Sequence, residues 1–433
     1  MKPSFVISCP IDTYSGYGAR SRDLVKAIIE TNKYDVKILP QRWGATPWGF
    51  IEDHKDEWGF LQLHILPEPK LTSQPEIWAQ ITIPNEFAPV GKYNIGITAG
   101  IETTAVKGEW IEGCNRMNLV ITSSEFAKKT FESMDYEIKN PQGQLQGHLK
   151  LTTPIEVIFE GVNTDLYKAI EQNQIKNINL NSIKESFAYL FVGHWTQGDF
   201  GEDRKNVSLL VKAFYEVFKN KKNKPALILK TSGAGSSYMD RDVILKKIDQ
   251  IKKSVNSKDL PNIYLLHGDF NDAEVNELYN NSKVKAMVSL TKGEGFGRPL
   301  LEFSLIKKPI ITTGWSAHTE FLDSNFIVSL KGELKPIHPS AVNDWIIAES
   351  QWFNVDYGQV GHYLKDVFEN YKKYTDGAKR QAFKSKNEFS WDKMFEKLNQ
   401  TCIQYIPDFP KEVQLQLPTL KKIELPKLQK TNG

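Results

Sequence analysis

The stretch Lys285–Thr313, KAMVSLTKGEGFGRPLLEFSLIKKPIITT, decides how the rest of the chain is read. It opens on a short apolar run, Ala286 to Leu290, of the kind a buried strand uses. A polar, glycine-rich loop follows from Thr291 to Gly297. Pro299 then stands where a first helical residue belongs, because its missing N–H costs nothing there and its φ is already helical. Leu301 and Leu305 carry the buried face, Lys307 and Lys308 suit the negative end of the helix, and Pro309 stops it. Ile310 and Ile311 begin a second strand. A strand–loop–helix–strand unit predicts two parallel strands.

The loop has a chemistry of its own. Gly293, Gly295 and Gly297 let the backbone turn sharply and approach a ligand closely. The helix N-terminus behind them offers unpaired N–H groups and partial positive charge, which suits a phosphate. Glu294 and Glu302 are eight residues apart. With a diphosphate at the helix end, one carboxylate reaches the hydroxyls of a sugar and the other those of a ribose.

EGFG, a proline at the helix start, a second glutamate and then KKPIITT resemble the retaining GT-B glycosyltransferases of the glycogen-synthase-like group (glycosyltransferase family 4 type). Their signature is a Glu-x7-Glu motif, here Glu294 and Glu302 with GFGRPLL between them. The resemblance covers residues 85 to 400 well and the first 84 loosely. It implies an α/β protein of two Rossmann-like domains whose parallel sheets face an interdomain cleft. The expected division is an acceptor-side domain over 1–166, a linker over 167–186 and a nucleotide-sugar domain over 187–390. A helix over 391–408 crosses back to the first domain, and a tail fills 409–433.

The whole chain agrees with that reading. At 433 residues it accommodates two domains with full cores. A hydrophobic content of 40% and a charged content of 25% are those of a soluble globular protein. The net charge of +3 and the lack of a basic stripe place a nucleic-acid-modifying transferase last among the readings. Cys9, Cys114 and Cys402 are scattered, which fits neither a disulfide framework nor a zinc site and suits a reducing compartment. No apolar run is long enough to span a bilayer, and the N-terminal one is too short for a signal peptide. A cytoplasmic protein is expected.

In chain order, Ser4 to Cys9 reads as a first strand leading into Gly16, Gly18 and a helix. That turn is either a plain connection or, as the resemblance implies, part of the grip on the donor phosphates or acceptor. Trp43, Trp48 and Trp58 are interleaved with glycine and charge, which suits stacking on a sugar or lipid acceptor or a surface loop pinned by its aromatics. Trp43 and Trp48 are the acceptor-side candidates. Glu102 follows a strand end, where open α/β sheets place their sites. The family often has histidine near that point. Ser123 or Ser124 starts a helix by capping it, and residues 136–153 read as a hairpin or insertion.

In the second half, Arg204 and Lys205 precede a helix with a clear amphipathic period, Leu210, Val211, Phe214, Val217 and Phe218. The resemblance implies that Lys205 is the lysine that clamps the donor diphosphate. His194 stands where the family has arginine, and Arg204 supplies the missing charge. It further implies base contacts from His267, Gly268, Asp269 and Phe270. Donor contacts follow from Gly295, Phe296, Gly297, Arg298, Pro299, Leu300 and Glu302, and catalysis from Glu294, Glu102 and Lys205. Asp240 and Asp242 match a short metal motif, but Asp240 is expected to cap a helix. Glu320 is placed behind the sugar site. Residues 345–391 read as largely helical, and the Lys- and Pro-containing tail as disorder, an extended strap or a tether.

The implied donor is a nucleoside-diphosphate sugar, UDP- or GDP-linked, with no cofactor and no metal. The implied reaction retains configuration: front-face attack, with the donor phosphate helping to deprotonate an unidentified acceptor. A degenerate GT-B fold that binds nucleotide or glycan without turnover is the alternative.

Overall fold

The computed structural model describes residues 2–410 except 45, 234 and 236. The 409–433 tail therefore lies almost wholly outside the described residues. Two six-stranded parallel sheets organise the chain. The first runs, in spatial order, Asp35–Pro40, Ser4–Cys9, Ile77–Ile81, Tyr93–Ile97, Leu119–Thr122 and Ile155–Val157. The second runs Ile263–Leu266, Ala226–Lys230, Ala188–Val192, Val284–Ser289, Ile310–Thr313 and Val328–Leu330. Within the central unit Met287 pairs with Ile310 in parallel register, as the sequence predicts. Each sheet reverses its strand order beside its first strand, which opens a crevice at the carboxyl ends of the strands.

The strands are short apolar runs because both sheet faces are covered. Ala226, Leu227, Ile228 and Leu229 are all fully buried, with alternate residues in two cores. The helix Val207–Phe218 turns Leu210, Val211, Phe214 and Phe218 inward, on the expected period. Asp203 starts it by accepting from the Val207 N–H (2.9 Å) and the Ser208 hydroxyl (2.9 Å). The helix Trp391–Tyr405 packs its Met394, Leu398 and Cys402 into the core of the first domain, against the helix Gly16–Glu30.

Several local expectations need correction. Residues 345–391 are largely helical, as expected, but a strand precedes the helices. Gln351–Val355 forms a strand paired antiparallel with Gly332–Pro336, and helices follow at Tyr357–Glu369 and Lys372–Glu388. Trp352, Phe353 and Val355 are buried aromatic and β-branched residues, which favour a strand, and Asp356 then caps the next helix. The central helix is only Arg298–Ser304, and Lys307 leaves it at φ +62. Lys308 does not serve that helix's end. Its ammonium donates to Tyr279 O (2.6 Å) and Asn281 O (3.0 Å), closing the end of the helix Asp272–Asn280. Burial there pushes its pKa down to about 7. Trp58 is a core residue, edge-on to Trp391. Ser237, not Asp240, caps the helix Tyr238–Lys253. The expected hairpin is present as Tyr136–Lys139 and Leu145–Leu149, and Ser124 caps the helix Glu125–Glu132.

Candidate active site

The site is assembled from loops at the carboxyl ends of both sheets. The loop 291–297 follows the strand Val284–Ser289, and the loop 193–206 follows its neighbour Ala188–Val192. Gly297, at φ +102, turns the chain into the helix Arg298–Ser304. Gly293 lies against the first domain: a methyl group there would stand 1.9 Å from Glu102 O. The Ser123 hydroxyl donates to Gly295 O (2.9 Å) and Ala99 O (2.7 Å). The two sheets' loops are thus in direct contact.

Glu294 is the centre of this arrangement. Lys205 Nζ is 2.5 Å from its Oε1, and Arg204 Nη1 is 3.5 Å from its Oε2. Arg204 Nη1 also donates to Gly293 O (2.9 Å) and lies 3.5 Å from Glu102 Oε1. Burial alone would raise the Glu294 pKa, but the Lys205 and Arg204 cations outweigh it and hold the carboxylate at about 2. Its backbone is gripped by one turn. Glu294 N–H donates to Ser316 Oγ (2.9 Å), and Ala317 N–H donates to Glu294 O (3.3 Å). Ser316 sits at φ +77 and ψ −170, a backbone conformation that L side chains adopt at a cost of about 1–3 kcal/mol. His194 lies close by, its Nδ1 3.1 Å from Ser232 Oγ. Burial, then the charges of Lys205 and Arg204, push its imidazole below the ordinary value, so it is neutral near pH 7.

The other candidates separate into groups. His267 Nε2 pairs with Asp240 Oδ2 (2.7 Å), and the same carboxylate accepts the Gly233 N–H (2.9 Å). Gly268 O accepts from Lys230 Nζ (2.6 Å), whose ammonium lies 4.7 Å from the Phe270 ring centroid, while Asp269 is exposed. Phe296 and Leu300 point into the core of the second domain. Gly18 is a packing residue, since a methyl there would meet Thr13 O at 2.4 Å, whereas Gly16 faces open space. Trp43 stacks on Tyr17 at 3.9 Å between ring centroids, and Tyr17 OH bonds Thr98 Oγ1 (3.1 Å) beside Glu102's loop. Trp48 is exposed and bridges to Thr13.

Glu302 and Arg298 belong to a different cluster from Glu294. Arg298 Nη1 reaches across the domains to Asp23 Oδ2 (2.8 Å) and Glu160 Oε2 (3.5 Å), and its Nε is 3.8 Å from Glu302 Oε1. Tyr279 OH donates to Glu302 Oε2 at 3.2 Å. Arg22, Asp23, Asp272 and Tyr167 join them around a cavity of about 90 Å³. Sequence reasoning missed Asp23, Glu160 and Lys292. The one available signal was the unusual charge density of ARSRD on an otherwise amphipathic helix. Glu320 accepts the N–H groups of Glu125 (3.1 Å) and Phe126 (2.9 Å), so it ties the second domain to the start of a first-domain helix.

Burial drives the Glu302 pKa up to about 7, against the pull of Arg298 and with a further push from Asp272. Between the ordinary carboxyl value of 4.5 and 7, the folded chain keeps a proton that the unfolded chain has lost. Stability is therefore expected to fall as pH rises through that window and to level off above it, by on the order of 3 kcal/mol. Urea melts of Glu302→Gln against the parent from pH 4 to 8 check this. The difference between the two curves should change across the window; parallel curves would refute the assignment.

Residues 183–336 match the family described as Glycosyl transferases group 1. The matched stretch lies within the second domain and carries the loops 193–206 and 291–297. The expected enzyme class, a glycosyltransferase, stands on that match. A search of curated proteins finds no match. Among solved structures, a glycosyltransferase from Rickettsia africae is similar at TM-score 0.59 and 14% identity, covering 94% of this chain and 98% of its own. Sucrose-phosphate synthase from Thermosynechococcus elongatus is similar at TM-score 0.59 and 11% identity, covering 93% and 99%. Anabaena HepE, solved in complex with UDP and glucose, is similar at 0.58 and 12%, covering 93% and 100%. At these identities the likeness is one of fold: two α/β domains with parallel sheets, as the sequence predicts. The matched stretch contains Glu294, Arg204 and Lys205, while Glu102 comes from the first domain. Among the described residues no helix is long and apolar enough to cross a membrane.

Proposed function

We propose that the protein is a retaining glycosyltransferase that moves a sugar from a nucleoside diphosphate to an acceptor hydroxyl without a metal. The observation that carries this is the buried cation pair, Arg204 and Lys205, set against Glu294 at a glycine-rich helix entrance. The bond between the sugar C1 and the phosphate oxygen breaks, and one between C1 and the acceptor oxygen forms on the same face. The acceptor proton passes to a phosphate oxygen of the departing diphosphate. Negative charge grows on that diphosphate in the transition state, and two desolvated cations are placed to stabilise it. As the diphosphate draws on Lys205, Glu294 is released to bind sugar hydroxyls. The His267–Phe270 loop lies at the carboxyl end of the edge strand Ile263–Leu266 of the same sheet, suited to the base. The acceptor enters from the first domain, past Glu102 and the Trp43–Tyr17 stack. The UDP and glucose bound by the Anabaena neighbour favour a UDP-sugar among the candidate donors.

A panel of UDP-, GDP- and ADP-sugars, read by thermal shift and by slow sugar release with and without EDTA, tests this. One nucleotide sugar should give a large shift and turnover, both unchanged by EDTA. Turnover abolished by EDTA and restored by a divalent metal would overturn the metal-free mechanism. A shift with no product under any acceptor would leave the chain a nucleotide-binding protein.

A further inference from the structure

We propose that Lys292 is a positioning residue that holds the Arg204 and Lys205 cations in register with Glu294, an inference that rests on the transferase reading above. Lys292 stands two residues before Glu294, and its side chain is 1% exposed. Its ammonium lies 3.3 Å from Glu202 Oε2, donates to Asn354 Oδ1 and sits 5.0 Å from the Trp352 ring centroid. Its N–H donates to Arg204 O (2.8 Å), and its carbonyl accepts the Phe353 N–H (2.9 Å). One residue therefore joins the loop that carries the cations, the loop that carries Glu294 and the two-stranded ribbon Gly332–Pro336/Gln351–Val355. The ribbon in turn meets the first domain, where Gln351 N–H donates to Thr104 Oγ1 (2.8 Å) and Thr104 N–H to Gln351 O (3.0 Å).

A charge is a costly filling for this space. An unbranched apolar side chain packs as well on Trp352, and Glu202, whose side chain is 32% exposed, stays solvated when the ammonium is removed, so no buried charge is stranded. What such a side chain cannot do is draw Glu202, two residues ahead of Arg204, onto the Thr291–Gly297 loop. The main-chain bond to Arg204 O survives any substitution, so the ammonium sets the loop's orientation rather than its attachment. None of its side-chain partners belongs to the Glu294 cluster, so Lys292 acts on the site only through the loop it holds.

The test uses full-length Lys292→Met, with Glu202→Gln as a second variant that removes the same link from the other side. Thermal unfolding, hydrogen exchange of the 196–206 amides and steady-state turnover are measured on each. The Lys292→Met protein is expected to melt at or above the parent temperature, with faster exchange in 196–206 and kcat lower by about 10²-fold. In a Lys205→Ala background the same change should cost several-fold less than in the parent, because one of the two cations it positions is gone. Parent-like exchange overturns the proposal. So does a loss of kcat that follows a lower melting temperature, or one undiminished in the Lys205→Ala background. If the parent turns over no nucleotide sugar, the transferase reading fails, and the exchange experiment still judges the link itself.

Discussion

Lys205→Ala is expected to lower sugar transfer by about 10²- to 10³-fold while the fold survives. The substitution removes the ammonium closest to Glu294, leaving Arg204 as its counter-charge at 3.5 Å. Breaking a buried pair strands the remaining charge, so a stability loss of about 3 kcal/mol accompanies the loss of activity. The pH profile separates a chemical role from a structural one. With Lys205 present, Glu294 stays ionised down to about pH 2. Without it, burial is opposed by Arg204 alone, the carboxyl pKa rises, and the acid limb of the activity profile moves to higher pH. Glu294→Gln is the complementary change. It also cuts transfer strongly, but it frees Lys205 and leaves Arg204 only Gly293 O and Glu102, so affinity for the nucleoside diphosphate is retained or improved. Calorimetry with the nucleotide and steady-state kinetics measure the two effects separately. Near-normal turnover in either variant removes that residue from the site.

Gly293→Ala is expected to part the two domains. The added methyl would sit 1.9 Å from Glu102 O, 2.9 Å from Glu102 C and 3.1 Å from a Trp315 ring carbon. The closest of these atoms are main chain, so no side-chain rotation relieves the overlap. The loop bearing Glu102 must withdraw from the loop bearing Glu294. That withdrawal strains the Glu102–Arg204 contact and the Thr104–Gln351 hydrogen bonds. Glu102 and Gly293 themselves lie outside the apolar cores, so each domain keeps its fold. A displacement of this size at a catalytic loop costs about 10²-fold in transfer. Small-angle scattering should show a larger radius of gyration than the parent's, together with that loss. Parent-like scattering and turnover would mean that Glu102 and Gly293 are not in contact in solution.

Charged groups bind the two domains at several points. Arg298 reaches Asp23 and Glu160, Glu320 accepts two N–H groups of a first-domain helix, and Trp315 meets Phe126 edge-on at 4.9 Å. The helix that carries Glu302 is therefore braced by the first domain through Arg298.

The local elements around the site were legible in the chain. The strand, glycine loop, Pro299 helix and second strand follow from apolar runs, backbone freedom and helix-start preferences, all set by near neighbours in sequence. The same holds for the helix at Val207, the Ser124 cap and the hairpin at 136–149. The pairing of Lys205 with Glu294 was half legible. The residue types marked a cation and a carboxylate for one ligand, while their 2.5 Å approach depends on two adjacent strands of one sheet.

What only the tertiary structure decided is where each charge finds its partner. Sequence spacing set Glu294 and Glu302 as a pair about one diphosphate; in the fold their partners are disjoint, Lys205 and Arg204 for one, Arg298 and Tyr279 for the other. Arg298 and Asp23 are 275 residues apart, and Lys308 closes a helix it does not belong to. Helix and strand preferences act over a few residues, so the chain states them locally. The fate of a buried charge depends on which surfaces meet, because only a partner brought close by folding offsets its desolvation.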